Sequence, residues 1–208
     1  MPFSPVWDFF VETYLPELRR MGARVEADID QCGFYPAAGG MVKLRVWPYE
    51  EAKKPDGYAL VDLGECKGGV VKGVVSHLPR SIAEAEIGIV GVQLRDLALK
   101  HEICEVDAMG PGNYCCAKLN YERGAVVFSG VGTYDKSRRA VANEIVQQVR
   151  EFLKSGKACE KHLADQLLVP LAMFNHDDWA LDVQKETLHY TTNRDVIETF
   201  RKSCRDST

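Results

Sequence analysis

The chain has 208 residues, enough for one large domain or two small ones around a sizeable core. Hydrophobic residues make up 46% and charged residues 27%, the balance of a folded protein, and no apolar run is long enough to span a bilayer. A formal net charge of −4 excludes a general polyanion-coating protein and leaves room for a local basic patch. The first ten residues carry Pro2, Pro5 and Asp8 and no basic n-region, so no signal peptide is expected and the expected location is cytoplasmic. The seven cysteines, Cys32, Cys66, Cys104, Cys115, Cys116, Cys159 and Cys204, show irregular spacing and no C-x-x-C pair. Reduced thiols are expected rather than a zinc site or a disulfide framework.

In chain order, Phe9, Phe10, Tyr14, Leu18 and Met21 recur at helical spacing, predicting a helix from about Val6 to Met21 that Gly22 stops. Pro16 inside it implies a kink or a late start. The start is abrupt, as if the chain began in the middle of a domain. Strands are predicted over Arg24 to Ile29 and Met41 to Trp47, flanking a turn that ends in Gly39-Gly40. In the second strand Val42, Leu44 and Val46 alternate with Lys43 and Arg45, giving one apolar and one basic face. The glycine pair suits a close backbone approach; a plain hairpin loop is the competing reading. Pro48 to Gly57 reads as an exposed polar loop, Tyr58 to Leu63 as a strand, and Gly64 to Gly69 as a boundary.

Beyond it the pattern predicts a strand over Val70 to His77 and a helix over Ser81 to Leu99 with a Ser81/Glu84 capping box. Strands follow over Ile103 to Asp107, Tyr114 to Tyr121 and Ala125 to Gly132, the first two separated by Gly110-Pro111-Gly112-Asn113. A helix over Ser137 to Lys154 carries Val141, Ile145, Val149 and Phe152 on its apolar face. This middle block reads as a compact unit inserted into something else. The last segment reads as a helix from Cys159 to about Phe174 shortened or kinked by Pro170, a strand near Lys185 to His189, and a helix over Asn193 to Ser203.

Two clusters carry candidate chemistry. His162, Asp165 and Gln166 stand at i, i+3 and i+4 on one helix face, beside a core stripe of Leu163, Leu167 and Leu171. An imidazole can stack on a purine, Asp and Gln can hydrogen-bond a base or ribose, and Asp can also bind a metal. The competing reading is a solvated helix face. His189 is expected to end a strand just before a helix capped by Thr192, whose free N–H groups would favour a phosphate. An imidazole there can act as base, acid or nucleophile, whereas a lone histidine is more often structural. His77, His101 and His176 show no ligand spacing, and His176-Asp177-Asp178 reads as a loop turn.

These residues resemble the RNA 3′-terminal phosphate cyclase family. The matching stretches are Pro2-Phe3-Ser4-Pro5, Leu15 to Gly22, Gly33-Phe34-Tyr35-Pro36 with Gly39-Gly40, Gly110 to Asn113, His162 to Leu167 and His189 to Asn193, in the family's order. The resemblance implies an α/β chain: part of a large domain of repeated two-helix, four-strand units (residues 1–64 and 154–208) with an inserted thioredoxin-like domain (65–153). The family's Glu-Gly-Gly-Gly-Gln segment, several arginines and its metal carboxylate have no counterpart here, so no metal ligand is assigned. A separately encoded N-terminal part or self-association is implied as a partner. Ala38 stands where the family has a glycine.

The implied reaction is ATP-dependent conversion of an RNA 3′-phosphate end to a 2′,3′-cyclic phosphate through a histidine–AMP intermediate, with a divalent metal, Mg or Mn. His189 matches the adenylylated histidine. His162, Leu163, Ala164, Asp165 and Gln166 match the ATP-binding segment, with His162 stacking on the adenine and Pro5 covering its other face. The competing readings are a non-catalytic cyclase-like factor in ribosomal RNA processing and an inactive gene fragment.

Overall fold

The computed structural model describes residues 4–50, 55–174 and 178–205. The predicted loop residues 51–54 and the turn residues His176 and Asp177 lie outside them. The chain is a mixed α/β protein, as expected. Among the described residues no helix is long and apolar enough to cross a membrane.

The first helix, α1, is α-helical over Trp7–Phe9, π-helical over Phe10–Tyr14 and α-helical again over Leu15–Arg20. The cause is Pro16, which has no N–H to donate into the preceding turn. The helix absorbs it by widening, with Leu15 N–H bonding Phe10 O five residues back. Gly22 stops the helix as expected: its φ is +98°, and the next amide, Ala23 N, reaches back to Leu18 O at 3.0 Å.

Strands β1 (Val25–Gln31) and β2 (Met41–Val46) pair antiparallel. Lys43 and Arg45 on the basic face pair with Asp30 and Glu26 of β1. In the turn between the strands, a Cβ added at Gly33 would lie 2.4 Å from Gly40 N. The close approach expected of Gly39-Gly40 is thus made, by Gly40, to the chain's own Gly33. Ala38 in the same turn holds φ +58°, where an L side chain is strained.

Strand β3 (Tyr58–Leu60) is shorter than predicted and pairs parallel with β8 (Trp179–Leu181). The predicted strand at Lys185 to His189 is not formed, and β8 takes its place nearer the start of the segment. Strand β4 runs over Cys66–Ser76, so the expected boundary at Gly64 to Gly69 lies partly inside it, at a bulge between Cys66 and Gly69.

Helix α2 covers Ser81–Gln93 and ends earlier than predicted, in a 3-10 turn at Arg95–Leu97. No capping box forms there. Ser81 is already helical, and the Glu84 carboxylate accepts from Arg80 Nε at 3.2 Å. Strands β5 (Leu99–Glu105), β6 (Gly112–Tyr121) and β7 (Gly124–Val131) complete a four-stranded sheet in the order β5-β4-β6-β7. Helix α3 (Arg138–Ser155) follows, capped by the Ser137 hydroxyl.

Period-2 alternation gives this sheet two working faces. Phe128 meets Phe152 of α3 on one face, where Val141, Ile145 and Val149 are also buried. On the other face Asp8 of α1 bonds Lys72 and Tyr114 OH, and at the free edge of β7 Val127 N donates to Thr13 Oγ1 of α1 at 3.0 Å. Helix α1 is therefore clamped to the sheet by polar bonds as well as by Phe9.

Glu86 of α2 is 1% exposed, one carboxylate oxygen accepting from Asn113 Nδ2 at 2.8 Å. Burial pushes its pKa up to about 7, against the pull of Asn113, Arg138 and Lys136. The folded state then holds a proton that the unfolded state has released. Stability should fall as pH rises from the ordinary Glu range to about 7, by roughly 1.4 kcal/mol per unit at most, and be flat above. Denaturant melts of Glu86→Gln against the parent should show the difference changing across that window and constant beyond it. Ala38→Gly should raise stability by about 0.5–1 kcal/mol in the same melts, because glycine adopts positive φ without the side-chain clash.

Candidate active site

Two helices carry the candidate residues. Helix α4 covers Lys161–Met173, and Pro170 does not break it. Its first turn is held by Glu160, whose carboxylate accepts from His162 N at 2.8 Å and Leu163 N at 3.1 Å. Glu160 is 3% exposed. Burial raises its pKa, and the neighbouring His162 and the two amides pull it back. Leu163, Leu167 and Leu171 are all buried, as their spacing predicted, each contributing about 1.5–3 kcal/mol of apolar burial. That stripe fixes the rotation of the helix and leaves its polar face outward.

Helix α5 covers Leu188–Arg205, beginning five residues before its predicted start at Asn193. Thr187 caps it in place of Thr192: its hydroxyl accepts from Tyr190 N at 3.0 Å and its carbonyl from Thr191 N at 3.0 Å. His189 therefore lies in the first helical turn rather than at a strand end. Tyr190 beside it is buried and anchors the helix, which turns His189 outward into solvent.

Asp165 joins the helices. Its carboxylate accepts from Thr187 Oγ1 at 3.4 Å, and its backbone carbonyl from Asn193 Nδ2 at 3.4 Å. Burial pushes its carboxyl up, while His162, the Thr187 hydroxyl and His189 pull it down. Both imidazoles thus lie within electrostatic reach of one carboxylate.

A cavity of about 490 Å³ opens beside α4, lined by Pro5, Phe9, Lys136, Glu160, His162 and Gln166 among others. Three residues expected to hold a nucleotide, Pro5, His162 and Gln166, come together there from opposite ends of the chain. The rest of the expected set lies elsewhere. Leu163 and Ala164 are core residues, 2% and 0% exposed. Asp165 faces α5, and His189 does not line the cavity. Glu160 and Lys136 were missed. Glutamate is an uncommon helix cap, and Lys136 is contributed by the distant loop after β7.

Comparison with known proteins decides what this arrangement belongs to. A family model described as RNA 3′-terminal phosphate cyclase matches residues 1–204. The chain belongs to the RNA 3′-terminal phosphate cyclase family. Proteins named RNA 3′-terminal phosphate cyclase from Koribacter versatilis and Ectopseudomonas mendocina are 30% and 34% identical over 95% and 96% of this chain. One from Pseudomonas fluorescens is 33% identical over 96%. The chain spans 54% to 57% of the length of these cyclase relatives.

Because Thr187 both caps α5 and touches Asp165, Thr187→Ala should cost about 1 kcal/mol in denaturant melts. Hydrogen exchange of the Tyr190 amide should rise by more than that of amides in the middle of α5.

Proposed function

We propose that this chain carries the nucleotide-transfer half of an ATP-dependent RNA 3′-phosphate cyclase, with His189 as the nucleophile. The observation that carries the reading is the meeting of Pro5, His162 and Gln166 at one cavity, with Asp165 of the same helix bonded to Thr187 at the start of the helix that carries His189. A cavity of about 490 Å³ falls within the roughly 300–1,000 Å³ typical of small-molecule sites. Its lining fits a nucleoside: the His162 ring for one face of an adenine, Pro5 for the other, and the Gln166 amide for the base edge. Lys136 lines the same cavity, paired there with the Glu144 carboxylate.

The chemistry then divides into three displacements. A neutral His189 imidazole nitrogen attacks the α-phosphorus of ATP, forming a P–N bond as the bond to pyrophosphate breaks. Asp165 holds negative charge near the imidazole as it becomes cationic. An oxygen of the RNA 3′-phosphate next attacks the same phosphorus, and the P–N bond breaks. The vicinal 2′-hydroxyl, losing its proton, then attacks the 3′-phosphorus and expels AMP, leaving the 2′,3′-cyclic phosphate. A divalent metal, when bound, offsets the triphosphate's negative charge. Among the described residues no group of three or more His, Cys, Asp or Glu is placed to hold one, so its ligands are not assigned.

The division of labour follows the same reading. Residues 65–153 form the inserted domain, supported by the way β4 to β7 pair with one another while α2 and α3 pack on their sheet. Residues 1–64 and 154–208 supply the candidate nucleotide site together with β7, the loop after it and α3.

Incubation with α-labelled ATP and Mg or Mn should give an acid-labile protein label that His189→Ala abolishes. His162→Ala should keep the label and require about ten-fold more ATP for half-maximal labelling, the loss expected of one stacking contact. A chain extended by the N-terminal section of its relatives that takes no label would overturn the proposal.

A further inference from the structure

A second cavity, of about 540 Å³, lies between the inserted unit and the turn after β1, and no step above uses it. Its inner end holds Glu86. That side chain is buried to 1%, and its Oε2 has no hydrogen-bond partner, while the other oxygen is taken by Asn113. A buried polar atom left unpaired is costly, and most such atoms in folded proteins are paired. The walls are apolar and aromatic, with Phe34 and Ile82 inside and the exposed rings of Tyr35 and Tyr134 at the mouth. Arg138, in the first turn of α3, lies at the rim and has no ion-pair partner among the described residues. The loop carrying Lys136 lines both cavities.

From the inside outward the cavity offers one hydrogen-bond acceptor, flat apolar walls, aromatic rings and a free cation. That sequence complements an amine on a flat ring that carries a phosphate. Unstacked RNA bases are held in this way, on aromatic rings and through hydrogen bonds to their edges, and a carboxylate accepts from the exocyclic amine of cytosine. We infer that this cavity binds an unstacked RNA nucleobase bearing an exocyclic amine, with Glu86 accepting from the amine and Arg138 meeting the nucleotide's phosphate. The inference rests on the proposed function only for the class of ligand, RNA. Above about pH 7, where the Glu86 carboxyl is ionised and Oε1 is bonded to Asn113, the free oxygen accepts a single amine, and a carbonyl in that place meets an acceptor with an acceptor.

The test compares CMP with UMP, which share size and charge and differ in an amine against a carbonyl, at a pH well above the value of about 7 up to which Glu86 holds its proton. Binding is read by ligand-observed NMR without ATP. CMP should bind at least ten-fold tighter than UMP. Glu86→Gln keeps the Asn113 bond and turns a donor inward, so the preference should vanish or reverse. Arg138→Ala should weaken both ligands alike and reduce their salt dependence. Ile82→Trp, which fills the cavity, should abolish both signals while the chain still melts cooperatively. Equal binding of CMP and UMP, no binding of either, or a preference surviving Glu86→Gln or Ile82→Trp would overturn the inference. Base preference without any ATP label counts against His189 and leaves the cavity standing, and a label without base preference does the reverse.

Discussion

A buried carboxylate at the start of α4 sets the geometry on which the candidate site depends. One Glu160 oxygen, Oε2, accepts from both His162 N and Leu163 N, so the first turn is fixed where the chain leaves the core. A negative group at a helix N-terminus is favoured by the helix dipole, which helps offset the desolvation of burying it. Once that turn is set, the leucine stripe can enter the core in only one rotation, and the positions of His162, Asp165 and Gln166 follow from helical spacing. Glu160 itself also lines the nucleotide-sized cavity, so the residue that starts the helix also shapes the pocket.

The cavity is completed from two other directions. Helix α1, widened at its π-helical turn to accept Pro16, lies against one face of the four-stranded sheet and brings Pro5 and Phe9 to the cavity. The loop after β7 brings Lys136. The bonds of Asp8 to Lys72 and Tyr114 hold the first of these in place, with the Lys72 pair partly shielded from water. Here β7, the loop after it and α3 form a wall of the candidate site.

Much of this was legible in the sequence wherever a long period carried it. The apolar face of α3 and the leucine stripe of α4 followed from helical spacing, and β6 and β7 from their apolar content and the turns that bound them. The segment around His189 was misread because Thr187, Leu188 and Tyr190 look like a strand; Tyr190 is buried by packing against the core, and only tertiary contact tells the two apart. Strand β3 was legible but read too long, and β8 was missed, because each has three residues and they pair across most of the chain. His162 and Gln166 were recognisable as a polar face, but their meeting with Pro5 and Lys136 is a matter of topology.

The central claim is that the face of α4 carrying His162 and Asp165 and the first turn of α5 act as one site. Mapping the AMP-bearing peptide after incubation with ATP and a divalent metal tests it most directly. The adduct should fall on His189, and Asp165→Asn should slow its formation at least ten-fold. An adduct on another residue, or one formed at His189 equally fast without the Asp165 carboxylate, would contradict it.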